Sequence, residues 1–515
     1  MIKAFFSAAR RSRLLVAALC VLIGGCVSGP RVSPEDRISL PSTGLGPHLE
    51  AFFEAFNSGE RQKLESFVEN HYQQGIDVAA EARRWARWRT VYGPLRPVRL
   101  GVDEPTRLRV FARGVVTGAW VELTARRSAD EPGRLRTIAV GSGLMPDAVA
   151  SGPKSVDDLV DAIRKYVESV GEQGYFSGTV LVARDSVVLT EHAVGEADRS
   201  DDRLNRKDTR FNIASITKLF TAVAVLQLSE RGLISLDDSA ANLLPDYPGP
   251  LDERITIRQL LTHTSGMGRG QLDAPIFPSG PRTAQDWLPL TVAEPEFEPG
   301  EIASYSNSGY VVLGAIVERL SGLSYEAYLQ RNIYGRSSMT GSGSFGVGEL
   351  PPNTAIPYTR GRPLDDRNAL IFEYGPSRDA TGMNGSIGSP AGLTYATAPD
   401  LHNFIVSVVD GTLLEPETRN AFLSEQVRIP SEPGSSVSFG YGFGWETRKG
   451  DILRLSKDGG SWGISGRLAY YPESGFVVIV LSNLDSAGIV VADRVGEWVE
   501  HLLRWQRSSE HTKGQ

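Results

Sequence analysis

The chain has 515 residues, of which 41% are hydrophobic and 22% charged, and its formal net charge is -7. That composition is globular, with a length suited to roughly two to four domains, and the acidic balance without basic clusters argues against any nucleic-acid partner. The only two cysteines are Cys20 and Cys26, which excludes a disulfide framework, a cysteine nucleophile and a cysteine-based metal site from the body of the chain.

Lys3, Arg10, Arg11 and Arg13 precede the apolar run "LLVAALCVLIGG", which stops at Cys26. The run is shorter than the about 20 residues a spanning helix needs. A positive start, an apolar centre and a small-residue end are the layout of an export signal. The ending "IGGC" resembles the lipobox of bacterial lipoproteins. That resemblance implies a signal peptide over residues 1–25, a lipid on Cys26, and anchorage to a membrane facing the periplasm or the cell exterior. Residues 26–46, opening on the polar, proline-containing "VSGPRVSPEDRISL", read as the tether.

Residues 47–150 read as a small α+β domain. "HLEAFFEAFNSGERQKLESFVENHY" gives two short helices broken at Asn57-Ser58-Gly59. The runs "PVRLGV", "RLRVFARGV", "AWVELTARR" and "RLRTIAVG" follow as strands. The "AFNSGE" turn resembles domains of the nuclear-transport-factor-2-like family. "SGPKSVDD" around Pro153 is the linker, and residues 156–507 form the larger domain. It opens with a helix and the hairpin "GTVLVARDSVVLTEHAVG", is helical in the middle, and closes on a hairpin around "PESG" and a final helix.

Three motifs in that domain carry chemistry. "FNIASITKLFTAVAVLQLSERGL" sets Ser215 three residues before Lys218 at the front of a segment apolar on nearly every face. In a helix, residues three apart are surface neighbours. A serine hydroxyl needs a base beside it, and a lysine serves only when uncharged, against an ordinary pKa of about 10.4. Bringing it to about 7 costs roughly 4–5 kcal/mol, which folding tolerates mainly where function requires it. The bland alternative is a lysine that snorkels to solvent. The chain's other Ser-x-x-Lys, Ser151 to Lys154, has a Gly-Pro core that no helix accommodates.

The second motif is Tyr305-Ser306-Asn307; of the 16 tyrosines, Tyr305 alone has an asparagine two residues on. In an extended segment those two side chains point the same way, whereas the plain reading has Asn307 capping the next helix. The third is Lys457-Asp458-Gly459-Gly460 before the final hairpin, whose plain reading is a β-turn with a surface lysine.

"SITK", then "YSN" about 90 residues on, then "KDGG" about 150 beyond, match in type and order the motifs of the penicillin-recognising serine enzymes. Spacing and flanks resemble the class C β-lactamase and D,D-peptidase branch, which includes esterases and D-amino-acid-specific peptidases. Supporting stretches are "ITIRQLLTHTSGM", "FEPGEIASYSNSGYVVLGAIVERLSG", "AGLTYATAPDLHNF" and "YGFGW". The resemblance implies an α+β fold, an antiparallel sheet flanked by helices with a helical subdomain. It also implies Ser215 as acylated nucleophile, Lys218 as proton acceptor and Tyr305 as proton relay. Asn307 would hold the acyl side of the substrate, Lys457 would supply positive charge, and the N–H groups of Ser215 and Gly460 would form an oxyanion hole. No cofactor or metal is implied, and the partner is a small-molecule or peptide acyl donor.

Asp458 stands where relatives often carry a hydroxyl that helps bind a substrate carboxylate. A carboxylate there is expected to repel one, favouring neutral or amine-bearing esters and amides over β-lactam hydrolysis or D-alanine removal. Gly459-Gly460-Ser461-Trp462-Gly463 fits the Gly-x-Ser-x-Gly elbow of α/β-hydrolases, but "ISGRLAYYP" after it reads as a strand where that elbow needs a helix. His263, in "LLTHTSGM", reads as part of a structural turn. Two alternatives stand beside an exported ester or amide hydrolase: a β-lactamase or D,D-peptidase proper, and a non-catalytic envelope binder. An intact Ser215, Lys218 and Tyr305 speak against the binder.

Overall fold

The computed structural model describes residues 38–142, 152–268, 270, 283–292, 294–346, 348–364, 369–372, 376–384, 388–429, 435–448 and 452–513. Cys26 and the leader lie outside the described residues. The N-terminal layer has helices α1 (Gly46–Ser58), α2 (Arg61–His71) and α3 (Val78–Tyr92), then strands β1 (Leu95–Glu104), β2 (Arg107–Gly114), β3 (Trp120–Arg127) and β4 (Leu135–Ser142). The strands form one antiparallel sheet in the order β1-β2-β3-β4.

Phe52, Phe56, Phe67 and Trp85 from the helices bury against Leu108, Val110 and Leu123 of the sheet. The Asn57-Ser58-Gly59 break works as a clasp. Gly59 takes a left-handed φ of 70°, and the Asn57 carboxamide both donates to and accepts from the backbone of Leu95, at 2.7 Å each way. Helix α3, capped by Asp77 on the amide of Ala80, was not anticipated: its arginines and tryptophans blur the apolar stripe. Leu40 and Leu45 are buried in this core, so packing begins inside the stretch read as tether.

The larger unit begins at α4 (Val156–Glu172), whose Ser155 and Asp158 form a capping box. An eight-stranded antiparallel sheet is its backbone. Strands β5 (Gly178–Arg184) and β6 (Val187–Val194) come first in sequence. β7 (Val427–Ile429), β8 (Ser435–Phe439), β9 (Gly444–Arg448), β10 (Ile452–Ser461), β11 (Ile464–Tyr471) and β12 (Phe476–Ser482) follow, in the spatial order β7-β8-β9-β10-β11-β12-β5-β6.

Strand alternation sorts residues to two faces. Leu181, Leu455, Leu468, Ile479 and Leu481 join the core built on α5 (Lys218–Glu230) and α6 (Ser308–Ser321). Val180, Val182, Ala469, Val478 and Val480 face α4 and the C-terminal α7 (Ala487–Lys513). Every residue of α5 from Lys218 to Leu228 is buried, which explains why its sequence shows no polar face.

The N-terminal layer lies against this second face. Tyr166 donates to the carbonyl of Thr117 at 2.7 Å, Arg89 donates to the Tyr175 hydroxyl at 3.0 Å, and Val91, Ala119 and Val490 form a small apolar cluster. Among the described residues no helix is long and apolar enough to cross a membrane.

Candidate active site

The chain enters the site through a strained turn. Ala214, immediately before Ser215, has a φ of 42°, unusual for a residue with a side chain. Its N–H donates to Asn212 Oδ1 at 2.9 Å, and its carbonyl accepts from Thr217 Oγ1 at 2.7 Å. A short 3-10 turn over Ala214–Thr217 then runs into α5 at Lys218. Ser215 thus sits at the N-terminal end of a buried helix, whose dipole favours negative charge there.

Lys218 is 0% exposed. Its Nζ lies 3.2 Å from Ser215 Oγ and 2.8 Å from Asn307 Oδ1, and it also donates to the carbonyl of Ala391. The lysine does not snorkel. Tyr305 reaches the same oxygen from the other side, its hydroxyl 2.8 Å from Ser215 Oγ. Asn307 stands at the N-cap of α6 but makes no side-chain cap bond; the hydroxyl of Ser306 accepts the amide of Gly309 instead. That division of labour leaves the Asn307 carboxamide for Lys218.

The third motif lies on β10, opposite. Lys457 is 6% exposed, and its Nζ sits 4.9 Å from the centre of the Tyr305 ring. Burial lowers its pKa to about 8, with the charge of Asp458 acting the other way. A Cβ on Gly459 would fall 2.1 Å from the carbonyl oxygen of Ile213, so only glycine lets β10 approach the segment that carries the nucleophile. Strand β9 pairs with β10 only as far as Ser456, which leaves that edge of residues 457–461 without a strand partner among the described residues. Gly460 lies on this open stretch.

Asp458 does not face the cleft. It points to the opposite side of β10, where Arg467 grips its carboxylate at 2.5 and 2.8 Å, and Arg467 in turn holds Asp493 on α7. The expectation that Asp458 repels a substrate carboxylate is therefore corrected: adjacent strand residues point to opposite faces, and this charge is already paired.

Two contributors were not picked out as site residues from sequence. The Ala391 carbonyl comes from a tight turn in which Ser389 and Gly392 exchange backbone hydrogen bonds, and no side-chain motif announces a backbone acceptor. His263, read as a structural turn, has a φ of 59° and lies behind Tyr305, ring centres 4.7 Å apart. Its Nδ1 accepts the amide of Ser306 at 3.1 Å. Burial, then the positive charges of Lys457 and Lys218, hold its pKa well below the ordinary value, so a neutral imidazole supports the Tyr305 ring. The Gly-x-Ser-x-Gly look-alike passes from β10 straight into β11, with no helix after it. Among the described residues no group of three or more His, Cys, Asp or Glu side chains is placed to hold a metal ion.

The Beta-lactamase family model matches residues 156–496. A penicillin-binding protein of Bacillus subtilis (strain 168) is 29% identical over 328 residues, covering 61% of this chain and 70% of the relative. The esterase EstB of Burkholderia gladioli is 28% identical over 330 residues, covering 58% of this chain and 82% of its own. The crystal structure of a penicillin binding protein from Bacillus halodurans superposes with a TM-score of 0.56 at 30% identity, over 64% of this chain and 98% of that one. The chain belongs to the beta-lactamase family, as a serine hydrolase of the penicillin-recognising superfamily.

Proposed function

We propose that the protein is an exported, lipid-anchored hydrolase that cleaves an ester or amide through an acyl-enzyme on Ser215. The observation that carries this reading is the pair of contacts on one oxygen: Lys218 Nζ at 3.2 Å and Tyr305 OH at 2.8 Å from Ser215 Oγ. In acylation Lys218, uncharged, takes the hydroxyl proton as Ser215 Oγ bonds to the substrate carbonyl carbon. The oxyanion that forms is received by the N–H groups of Ser215 and Gly460. Tyr305 passes a proton to the departing alcohol or amine as the C–O or C–N bond breaks. Water then adds to the acyl carbon and loses its proton to Tyr305, and Ser215 Oγ leaves with the proton that Lys218 took up in acylation.

Asn307 and the Ala391 carbonyl fix the lysine amine, Asn307 also meets the acyl side of the substrate, and Lys457 contributes positive charge beside Tyr305. Since Asp458 is turned away and paired, acyl donors bearing a carboxylate fall within this reading as well as neutral ones. The N-terminal layer, whose helices cover one face of an antiparallel sheet, is read as a nuclear-transport-factor-2-like domain, with the serine hydrolase domain after it. Cys26 supplies the membrane anchor.

Incubating the full-length protein with a fluorophosphonate probe and measuring intact mass tests the assignment. One adduct, mapped to Ser215 and absent from Ser215→Ala, is expected; folded wild-type protein that stays unlabelled refutes it.

A further inference from the structure

The turn that offers its carbonyl to Lys218 is itself gripped by the helix that carries Lys218. Thr221, one turn further along α5, is fully buried. Its hydroxyl lies 2.6 Å from the carbonyl oxygen of Pro390 and 2.5 Å from the Tyr325 hydroxyl. A threonine in a helix commonly turns its hydroxyl back to a carbonyl of the preceding turn; this one reaches across to another segment. The Pro390 carbonyl only accepts and the Thr221 hydroxyl has one hydrogen, so Thr221 donates to Pro390 and Tyr325 donates to Thr221. Burial pushes the Tyr325 phenol well up, which keeps that donor protonated. On α6, Gly314 makes room for the turn: a Cβ there would fall 2.1 Å from Pro390 Cγ. Past the turn, the Thr394 carbonyl accepts the amide of Ile213 at 2.8 Å, and the Thr394 amide donates to Thr217 Oγ1 at 3.3 Å.

We propose that Thr221 is a positioning residue for acylation: by holding the Pro390 carbonyl it sets the carbonyl of the next residue, Ala391, against Lys218 Nζ. Lys218 and Thr221 are neighbours on one face of the helix, being three residues apart. The two consecutive carbonyls they hold therefore close a frame with α5. That frame aims the lysine. An uncharged amine has two hydrogens and one lone pair. Asn307 Oδ1 and the Ala391 carbonyl are both acceptors, and between them they take the two hydrogens. The lone pair is then left for the hydroxyl hydrogen of Ser215. With the Ala391 carbonyl displaced, one N–H has no fixed partner and the amine can turn its lone pair away from Ser215. A buried hydroxyl is also costly unless bonded, so Tyr325 supports Thr221 as Thr221 supports the turn. Thr221 and Tyr325 are positioning residues here, a role that rests on the acyl-enzyme reading; the grip on the turn does not.

The test compares two variants of the full-length chain: Thr221→Val, which keeps the branched shape and loses the hydroxyl, and Thr221→Ser, which keeps the hydroxyl. The readouts are the rate of fluorophosphonate labelling at Ser215 and hydrogen exchange over residues 388–394. In Thr221→Val, labelling is expected to slow about ten-fold, the effect of one neutral hydrogen bond. The kcat for a p-nitrophenyl ester should fall about as far, with KM little changed. Exchange over 388–394 should rise about ten-fold, the signature of a local opening, while segments 178–184 and 476–482 keep wild-type protection. Thr221→Ser should label within about two-fold of the wild-type rate. Val225→Ala, at another fully buried position of α5, is the control: it should lower the unfolding temperature and leave labelling unchanged. Wild-type labelling in Thr221→Val overturns the proposal, as does a Thr221→Ser variant just as slow, which would make side-chain shape the cause. If Thr221→Val does not fold, Thr221→Ala decides by the same readouts, since it removes the hydroxyl without setting a methyl against two oxygens. An unlabelled wild type would sink the acyl-enzyme reading and the role of Thr221 with it; a labelled wild type whose Thr221→Val variant shows unchanged labelling and exchange sinks the role of Thr221 alone.

Discussion

Replacing Gly459 by alanine adds one carbon and is expected to abolish most activity. The new Cβ would lie 2.1 Å from the carbonyl oxygen of Ile213 and 3.3 Å from Ile216 Cγ1. Ordinary contact begins near 3.4 Å, so β10 and the segment entering the nucleophile turn must separate by about 1.3 Å in a core with little slack. A displacement of that size between catalytic groups costs about 100-fold in rate, or about 2.7 kcal/mol of transition-state stabilisation. Overpacking adds about 1–3 kcal/mol of lost stability. The assay pairs thermal unfolding with the rate of fluorophosphonate labelling at Ser215. Gly460→Ala is the comparison, since its Cβ meets nothing nearer than the Ile464 carbonyl at 3.8 Å, and it should lose at least about ten-fold less than its neighbour. Equal labelling rates for the two variants would show that this close approach does not set the geometry of the site.

Three further outcomes are expected. Lys457, held near 8 against an ordinary 10.5, opposes folding in full below about pH 8, and that opposition fades as pH rises toward about 10.5, a span worth about 3 kcal/mol; Lys457→Met should therefore raise the unfolding temperature at pH 7 while lowering kcat/KM, with the stability gap closing above pH 9, and a pH-independent gap counts against this. His263→Asn keeps a residue type that tolerates the φ of 59° but removes the ring behind Tyr305; kcat should drop about ten-fold or more with KM little changed, and an unaltered kcat would show the platform is dispensable. Lys218→Met should reduce Ser215 labelling about 1000-fold, whereas Tyr305→Phe should slow deacylation more than acylation so that acyl-enzyme accumulates in intact mass; the reverse pattern would assign the first proton transfer to the tyrosine.

The nucleophile helix was legible because chemistry and burial speak together there: a lysine inside an all-apolar run either snorkels or serves a site, and its 0% exposure settles which. The Tyr305 and Asn307 pair was legible for a weaker reason, since a cap role remained open until Ser306 proved to hold that bond. The antiparallel sheet flanked by helices was implied by the family resemblance, but its order, with β5 and β6 beside β12 rather than beside a strand near them in the chain, is set by long-range pairing that no local pattern encodes. Asp458 was misjudged because a motif gives residue types without the direction of each side chain; the pleat, once seen, turns it toward Arg467. The described residues between 341 and 391 offer little local pattern for a physical reason too: the strands among them run two to four residues, and the segment is held by backbone bonds to distant parts, such as Ala355 to Arg210 and Tyr358 to Asn483.

The open side of β10 has a consequence beyond chemistry. Bare strand edges are where proteins add foreign strands and grow into fibrils. Here the exposed run is brief and holds two adjacent glycines, residues with poor strand preference and no side chains to zip against a neighbour. The doublet thereby makes a poor template for self-association.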